Sequence, residues 1–548
     1  MVLSVDLNSK LKDLFSKKNY SKLEKEIEKL GKLEDLNPNL KFLYATAKAL
    51  NEKSQKKDFK IAAYLYEQLY KVNQSNLELL YNLIFTSVKA TYFGYLDPHI
   101  NNQFLKNKND PKILEGLGKM YSFYADMSKA TKFYKLLLEI KPHYSSVWFS
   151  FLAGLNYCSD FDQEKYLSYC KEFDKTPNLK IENFKVEKKN KLKKIGFLSA
   201  DLKTHSVSFF LEEIIENLKK DGFELHAISN LERSKYDNVT DSLKKKFDYW
   251  HDTSTLDDAK FAENVRSLNL DILIDLCGYT FNNRANALRL RVANIQITWC
   301  GYCNTLGLKN IDFLIADPNL IKEDEKKLYS EQILFMPNIW NVMSKPKKLP
   351  EIVTHQKDIK IFTFGSFNNF QKISEETINA WSKILNNEKC RLILKNSNFL
   401  DEDKSNEIIL KKFKDQKVNL EQINIIQTKK NIDEHLKSYN QVDLALDTFP
   451  YPGVTTTFQS VLMGVPVLTM SGFNFNSRCG ESINKNLGLS EFIAKDVKDY
   501  INRASTLKKN ILADSNYKNN LRKIALNSDL FNVAKFSKSF SDTLKSLI

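Results

Sequence analysis

The chain has 548 residues, of which 42% are hydrophobic, and this length predicts three to four domains with sizeable cores. Its formal charge is +15, from 82 basic and 67 acidic residues, but the lysines are spread along the whole sequence and no nucleic-acid-binding motif accompanies them. We therefore expect no nucleic-acid partner, because an acidic nucleotide diphosphate in a basic cleft fits the same charge.

The sequence also argues against a membrane span, a secretory route and a metal centre. No segment approaches the roughly 20 apolar residues that a membrane-spanning helix needs, and residues 1–6 lack the layout of a signal peptide. The seven cysteines show no paired Cys-x-x-Cys spacing, and no cluster of His, Asp or Cys has ligand spacing. We expect a cytoplasmic protein with reduced thiols, no membrane partner and no bound metal.

Residues 1–180 are predicted to be helical almost throughout and to contain an internal repeat. Six residues fall at the signature positions of a tetratricopeptide unit of about 34 residues, and these are Leu117, Gly118, Tyr121, Ala130, Tyr134 and Pro142. A generic helical bundle is the alternative. Stacked repeats form a concave surface that commonly binds extended peptide, although so short an array also fits a mainly structural role.

A Lys-rich linker leads into residues 181–350, where helical segments alternate with predicted strands at 194–199, 223–229, 271–276 and 295–299. This alternation predicts a doubly wound parallel sheet. Ligands of such sheets bind beyond the carboxyl ends of the strands. Five polar side chains should therefore crowd one rim, namely Asp201, His205, Tyr279, Thr280 and Asn304.

Residues 351–496 predict a second lobe of the same α/β kind. Its strands are expected at 361–366, 390–394, 424–427, 444–447 and 467–470. Residues 497–548 are predicted to be helices that pack back on the two lobes.

The most informative stretch is 447–469, at the end of a short apolar run. Pro450, Pro452 and Gly453 force a loop there, and Thr455 begins a segment with helical spacing. The N-terminus of a helix favours a bound phosphate, because its backbone N–H groups are free and its dipole is positive. An ordinary capped helix is the alternative, since Thr is a common N-cap.

Residues 448–457 read Thr-Phe-Pro-Tyr-Pro-Gly-Val-Thr-Thr-Thr and resemble the donor-sugar loop of the protein O-linked N-acetylglucosamine transferase/SPINDLY family, with the wording closest to the SPINDLY branch. Three further blocks in matching order, at 194–205, 273–280 and 367–373, resemble other signatures of that family. The resemblance covers about residues 193–495. It implies helical tetratricopeptide repeats followed by a GT-B pair of doubly wound lobes.

The resemblance also implies roles for the residues at matching positions. Lys372 would neutralise the departing diphosphate, and His205 would hold or relay the acceptor proton. These two are the candidate catalytic residues, whereas a surface lysine and a loop histidine are the alternatives. The candidate donor-binding residues are Asn369, Lys372, Lys430, His435, Thr455, Thr456, Thr457 and Gln459. The candidate acceptor side comprises Asp201, His205, Tyr279 and Asn304.

Three departures from the family pattern bear on the donor. Gln459 stands where the family often has a carboxylate that grips the ribose, Val454 where many members have His, and Ile432 where some use Lys, with Lys429 and Lys430 as compensation.

The resemblance implies inverting, metal-independent transfer of a sugar from a nucleotide diphosphate to Ser or Thr of an acceptor protein, without a further cofactor. UDP-GlcNAc is the first expectation for the donor and GDP-fucose the second. A glycan acceptor and a decayed tetratricopeptide scaffold are the remaining alternatives.

Overall fold

The computed structural model describes residues 5–177, 184, 186, 193–346, 348–353, 361–396, 402–427 and 431–547. These residues form two compact units. The described residues within 1–147 and 398–408 make up the first unit, and those within 148–397 and 409–548 make up the second. In the described part of the chain, no helix has the length and apolar character that crossing a membrane requires.

The first unit is built from helices, as the sequence predicts. Eight of them follow one another along the chain: α1 (Val5–Ser16), α2 (Tyr20–Glu28), α3 (Pro38–Leu50), α4 (Lys56–Val72), α5 (Leu77–Ala90), α6 (Asp97–Lys106), α7 (Pro111–Phe123) and α8 (Met127–Ile140). The repeat signature explains the packing of α7 on α8, because a Cβ atom at Gly118 would meet the ring of Tyr134 at 2.4 Å. Ala130 and Tyr134 are both buried in this contact.

The second unit holds the remaining helices, apart from the first residues of two of them. These helices are α9 (Ser145–Leu155), α10 (Gln163–Lys175), α11 (Ser206–Lys220), α12 (Asn238–Lys246), α13 (Asp258–Ser267), α14 (Ala285–Leu288), α15 (Glu375–Asn387), α16 (Glu402–Asp415), α17 (Ile432–Lys437), α18 (Thr455–Leu462), α19 (Cys479–Asn486), α20 (Val497–Ala513), α21 (Tyr517–Asn527) and α22 (Val533–Lys545). Residues 145–147 of α9 and 402–408 of α16 belong to the first unit.

The boundary between the two units lies earlier than the predicted boundary at residue 180. The second unit begins at Trp148 and therefore contains α10 and most of α9. Their polar side chains explain this placement. Asn156 Nδ2 donates to Tyr302 Oη at 2.9 Å, and Gln163 Nε2 donates to Asn304 Oδ1 at 2.9 Å. All four side chains are buried, so the two helices are held to the first α/β lobe by satisfied interior hydrogen bonds.

Two parallel sheets form the rest of the second unit, and they confirm the predicted pair of doubly wound lobes. The strands are β1 (Lys194–Ser199), β2 (Glu224–Ser229), β3 (Tyr249–Asp252), β4 (Ile272–Asp275), β5 (Ile295–Thr298), β6 (Phe313–Ala316), β7 (Gln332–Phe335), β8 (Thr363–Ser366), β9 (Arg391–Asn396), β10 (Ile423–Gln427), β11 (Leu444–Leu446), β12 (Val467–Met470) and β13 (Ile493–Ala494). The first sheet has the order β3-β2-β1-β4-β5-β6-β7 and the second β10-β9-β8-β11-β12-β13. In both sheets the order reverses beside the first strand of the lobe, β1 or β8, which is where such sheets place their ligands.

The C-terminal helices contact both lobes. Tyr500 of α20 receives a hydrogen bond from Trp381 of α15 at 3.4 Å in the second lobe. Helix α22 instead packs on the first lobe, where the ring of Phe540 lies 4.7 Å from that of Trp299. The last helix therefore returns across the unit and covers apolar surface beside β5.

Polar contacts also join the two lobes. Arg478 Nη2 donates to Glu325 Oε1 at 2.7 Å, and Ser482 Oγ donates to Asp317 Oδ2 at 2.8 Å. Arg478, Ser482 and Asp317 are buried. A buried charge is tolerated only when it is paired and hydrogen-bonded, so these contacts fix how the second lobe meets the first.

Candidate active site

Asp447 anchors the loop that leads from β11 into α18. Its Oδ1 accepts hydrogen bonds from Gly453 N at 2.7 Å and from Asn368 Nδ2 at 2.9 Å, and its Oδ2 accepts from Thr469 Oγ1 at 2.9 Å. Burial raises the pKa of Asp447, while these hydrogen bonds act in the opposite direction. One carboxyl group therefore ties the loop to the neighbouring β8 and β12 segments.

The three predicted threonines form the first turn of α18. Thr456 Oγ1 donates to Asn368 Oδ1 at 2.5 Å, and Thr457 Oγ1 donates to Gly453 O at 2.9 Å. Thr455 is partly exposed at the helix start, and Val454 provides no side-chain cap. Within the described residues, no group accepts from the backbone N–H of Thr455 or Thr456. These N–H groups therefore remain available to an anion at the positive end of the helix.

Lys372 reaches the same loop from the turn after β8. Its Nζ donates to Pro452 O at 2.8 Å and lies 4.2 Å from the centroid of the Tyr451 ring. Among the described residues, no carboxylate lies within ion-pair distance of this ammonium group, so N–H donors remain for a ligand. Burial lowers the pKa of Lys372, while Asp447 acts in the opposite direction. An anion bound beside Lys372 would stabilise the charged form.

The adjacent asparagines of the β8 turn have different roles. Asn369, the predicted phosphate contact, caps the short turn that carries Lys372, because its Oδ1 accepts from Gln371 N at 3.0 Å. Asn368 was not singled out from the sequence. It is the residue that reaches the loop, through Asp447, Thr456 and Thr448 Oγ1, the last at 2.9 Å. The order Phe-Asn-Asn does not by itself show which amide turns inward.

His435 and Gln459 meet, as expected for two residues of one donor site. His435 Nε2 lies 2.8 Å from Gln459 Oε1, and His435 Nδ1 is hydrogen-bonded to Lys395 Nζ at the end of β9. Burial, with the charge of Lys395 acting in the same direction, lowers the pKa of His435 to about 4. The imidazole is therefore neutral near pH 7. Lys395 is a site residue that sequence reasoning missed, and the predicted Lys430 lies outside the described residues.

The first lobe contributes His205, which caps the N-terminus of α11. Its Nδ1 accepts from Val207 N at 3.4 Å and lies 3.8 Å from Asp201 Oδ2, and the side chain is 41% exposed. Desolvation lowers the pKa of His205, with Asp201 acting in the opposite direction. His205 is therefore mainly neutral near pH 7 and can accept a proton.

Helices α11 and α18 bring the first lobe's His205 towards the donor loop. The rings of Phe210 and Phe458 pack edge to face with centroids 5.3 Å apart. A helix rises about 1.5 Å per residue, so His205 and Thr455 each lie within about two turns of this contact along their own helices. The structure thus places the predicted acceptor-side histidine and the predicted donor loop at the same junction between lobes.

Tyr279 and Asn304 occupy interior positions instead of the rim. Tyr279 Oη donates to Leu306 O at 2.5 Å, and Asn304 is hydrogen-bonded to Gln163 and to Asn156 Oδ1, the latter at 2.8 Å. Both side chains are buried. They support α9 and α10, and direct contact between either residue and an acceptor stays a prediction.

Paired parallel-sheet lobes, with a lysine and a helix N-terminus meeting beyond the strand ends, are the architecture of the GT-B fold class. The chain belongs to glycosyl transferase family 41, whose sequence profile matches residues 164–361 and 352–540. The predicted family resemblance is thereby confirmed.

Individual relatives agree with this membership. A protein from Solanum lycopersicum, described as a probable UDP-N-acetylglucosamine–peptide N-acetylglucosaminyltransferase SPINDLY, is 30% identical over 357 residues, which are 64% of this chain and 38% of that protein. An Arabidopsis thaliana protein with the same description ending in SEC is 23% identical over 363 residues, 63% of this chain and 36% of that protein. The chain therefore spans less than two fifths of the length of these curated relatives.

A solved structure shows the same fold along nearly the whole chain. A mutant O-GlcNAc transferase from Thermobaculum terrenum superposes with a TM-score of 0.78 at 23% identity, covering 93% of this chain and 98% of that one. The likeness includes the helical region ahead of the two lobes and supports the fold assignment.

Proposed function

We propose that this chain transfers a sugar from a nucleotide diphosphate to a Ser or Thr hydroxyl of a protein, with inversion at the anomeric carbon. One observation carries the proposal. The ammonium group of Lys372, which has no carboxylate partner among the described residues, meets the uncapped N-terminus of α18 at the loop anchored by Asp447. A cation and free N–H groups at one point suit a diphosphate.

The arrangement supports a single displacement. The acceptor oxygen attacks the anomeric carbon, the bond from that carbon to the diphosphate oxygen breaks, and the nucleotide diphosphate leaves with the bonding electrons. Lys372 and the first turn of α18 stabilise the charge that develops on the leaving oxygen. His205, neutral and partly exposed on the opposite lobe, holds the acceptor hydroxyl or takes its proton.

The leaving diphosphate is proposed to need no metal ion, because protein groups supply positive charge where it leaves. Among the described side chains, no group of three or more His, Cys, Asp or Glu residues is placed to hold an ion. The metal-independent reaction follows from the position of Lys372 beside the α18 N-terminus, and chelation of divalent ions is its test.

UDP-GlcNAc is the first candidate donor, because the names of the SPINDLY and SEC relatives both include UDP-N-acetylglucosamine. GDP-fucose is the second. The loop wording of the SPINDLY branch favours it, together with Val454 at a position where many family members have His. Identity to the SPINDLY sequence is also higher than to the SEC sequence, at 30% against 23%. The acceptor is a protein or peptide, and the helical repeats of the first unit are a proposed docking surface for it.

Calorimetry with UDP and GDP, followed by hydrolysis assays on UDP- and GDP-sugars, tests the proposal. We expect one nucleotide to bind clearly more tightly and the matching sugar donor to be turned over. Absence of binding by both nucleotides at millimolar concentration would overturn the enzyme assignment and favour a catalytically decayed scaffold. Turnover with only a glycan acceptor would refute the protein substrate while leaving the donor site intact.

A further inference from the structure

Three polar side chains form a continuous hydrogen-bonded line beside the proposed donor site. The line runs from Lys395 Nζ at the end of β9 to His435 Nδ1 on α17, and from His435 Nε2 to Gln459 Oε1 on α18 at 2.8 Å. Lys395 and Gln459 are buried, with only 2% and 5% of their surface exposed. Three separate elements of the second lobe therefore contribute to one chain of contacts.

Lys395 determines the direction of every hydrogen bond in this line. An ammonium group can only donate, and Lys395 Nζ also lies 5.5 Å from the centroid of the Phe367 ring, in a cation–π contact. His435 Nδ1 must therefore accept. In the neutral imidazole the proton is then on Nε2, so Nε2 donates to Gln459 and the oxygen of the amide faces the histidine.

The amide nitrogen of Gln459 is left facing away from His435. Its two N–H groups have no acceptor among the residues that the structure describes, although the side chain is nearly fully buried. Gln459 Nε2 is not among the fully enclosed side-chain atoms that lack a partner, so this donor group is open to a ligand. An acceptor oxygen from a bound ligand would satisfy it.

We propose that Lys395 is a positioning residue, which fixes the His435 tautomer so that Gln459 presents N–H donors to an acceptor oxygen on the nucleoside part of the donor substrate. This inference rests on the proposed function and deepens it. A carboxylate at position 459 would offer acceptors only, whereas this arrangement offers donors only.

The main competing explanation is direct contact between Lys395 and the nucleotide, which a double-mutant cycle separates from positioning. Lys395→Met removes the charge in a side chain of similar volume, and Gln459→Met removes the amide. If Lys395 acts through Gln459, Lys395→Met should weaken binding of the preferred nucleotide, UDP or GDP, by about fivefold to tenfold in the parent. The same change should have almost no effect in the Gln459→Met background. Equal losses in both backgrounds would overturn the proposal.

The state of the imidazole can be measured without any ligand. In long-range ¹H–¹⁵N spectra of histidine-labelled protein, the His435 signal, assigned by its loss in His435→Asn, should show a pure Nε2–H tautomer. The described groups facing this ring are Lys395, Gln459 and Tyr439, and burial keeps the pKa of Tyr439 well above its usual range. Lys395→Met should therefore give mixed tautomers and a raised His435 pKa, because the lysine charge no longer opposes protonation.

Lys508→Met is the matched control, because it removes a partly buried lysine that pairs with Glu388 in the same lobe, at 2.7 Å. It should change neither the His435 spectrum nor nucleotide affinity. An unchanged tautomer in Lys395→Met would refute the positioning role whatever the binding data show. If neither nucleotide binds the parent protein but the tautomer shifts as expected, the donor-site assignment fails while the control of His435 by Lys395 stands.

Discussion

Asp447 should be the residue on which the stability of the donor loop depends most strongly. Asp447→Ala leaves three buried donors without a partner, the backbone N–H groups of Thr448 and Gly453 and the hydroxyl of Thr469, whereas Asn368 Nδ2 keeps its second acceptor, Thr448 Oγ1. Each buried unsatisfied donor costs about 1–3 kcal/mol. Relief of the buried carboxyl group, whose pKa is raised, offsets part of the loss. We expect a net destabilisation of about 3 kcal/mol.

Asp447→Asn provides the graded comparison. Its amide oxygen can still accept from Gly453 and Asn368, and the hydroxyl of Thr469 can turn to accept from the amide nitrogen. The expected destabilisation is about 1 kcal/mol, which reflects the difference between charged and neutral hydrogen bonds. Asp542→Ala, on the exposed face of α22, is the control and should stay within about 0.5 kcal/mol of the parent.

Urea unfolding followed by tryptophan fluorescence measures these differences in the relevant part of the molecule. All five tryptophans, the first of which is Trp148, belong to the second unit. The signal therefore follows the lobes and not the helical repeats of the first unit. An unfolding midpoint for Asp447→Ala equal to that of the parent would refute the hydrogen-bond argument. Equal losses for the Ala and Asn variants would refute it as well.

Three further predictions concern catalysis. Lys372→Ala should lower turnover about 10²–10³-fold while the urea midpoint stays near that of the parent, since one charge-stabilising group is lost. Turnover equal to that of the parent would refute the catalytic role of Lys372. If neutral His205 assists the acceptor, kcat/KM should fall as the pH drops through the His205 pKa, which desolvation places below the ordinary value of about 6.5. His205→Gln should abolish this acidic limb, and an unchanged limb would assign it to another group. Activity should persist in EDTA, whereas loss of activity that magnesium or manganese restores would refute the metal-independent mechanism.

The sequence was most informative where local chemistry decides the backbone. In 442–462, an apolar run, Pro450, Pro452, Gly453 and three consecutive threonines predict strand, loop and helix in that order, and the structure has β11, the loop and α18 there. Strands that lack such punctuation were not predicted. Strand β3 carries Tyr249, Trp250, His251 and Asp252 at a sheet edge, without an apolar alternation. Strands β6 and β7 are as long as β4 and β5, which were predicted, so length does not explain why they were missed.

Side-chain direction was the harder part of the site to predict. Asn368 and Asn369 differ in function because β8 ends at Ser366, and only the backbone after it decides which amide points towards Asp447. Nothing in the sequence distinguishes Lys395 from the many other lysines of this chain. Its interior position follows from the parallel pairing of β9 and β10. Tyr279 was predicted on the rim from its position after a strand. The glycine before it, Gly278, has a φ of 54°, and the Tyr279 ring lies in the interior.

Two charged residues of the second lobe have different roles, because one supports the loop and the other is available to a ligand. Both carboxyl oxygens of Asp447 accept hydrogen bonds from the protein, so Asp447 holds the loop and has few acceptor sites left for a ligand. Lys372 donates one N–H to the neutral carbonyl of Pro452, so its other N–H donors remain for a ligand. Asp447 is hydrogen-bonded within the protein, whereas Lys372 has no carboxylate partner among the described residues, so the site favours a negatively charged ligand. A diphosphate leaving group provides that negative charge. The charge on its leaving oxygen increases as the sugar–phosphate bond breaks, and Lys372 lowers the barrier by stabilising it at that stage.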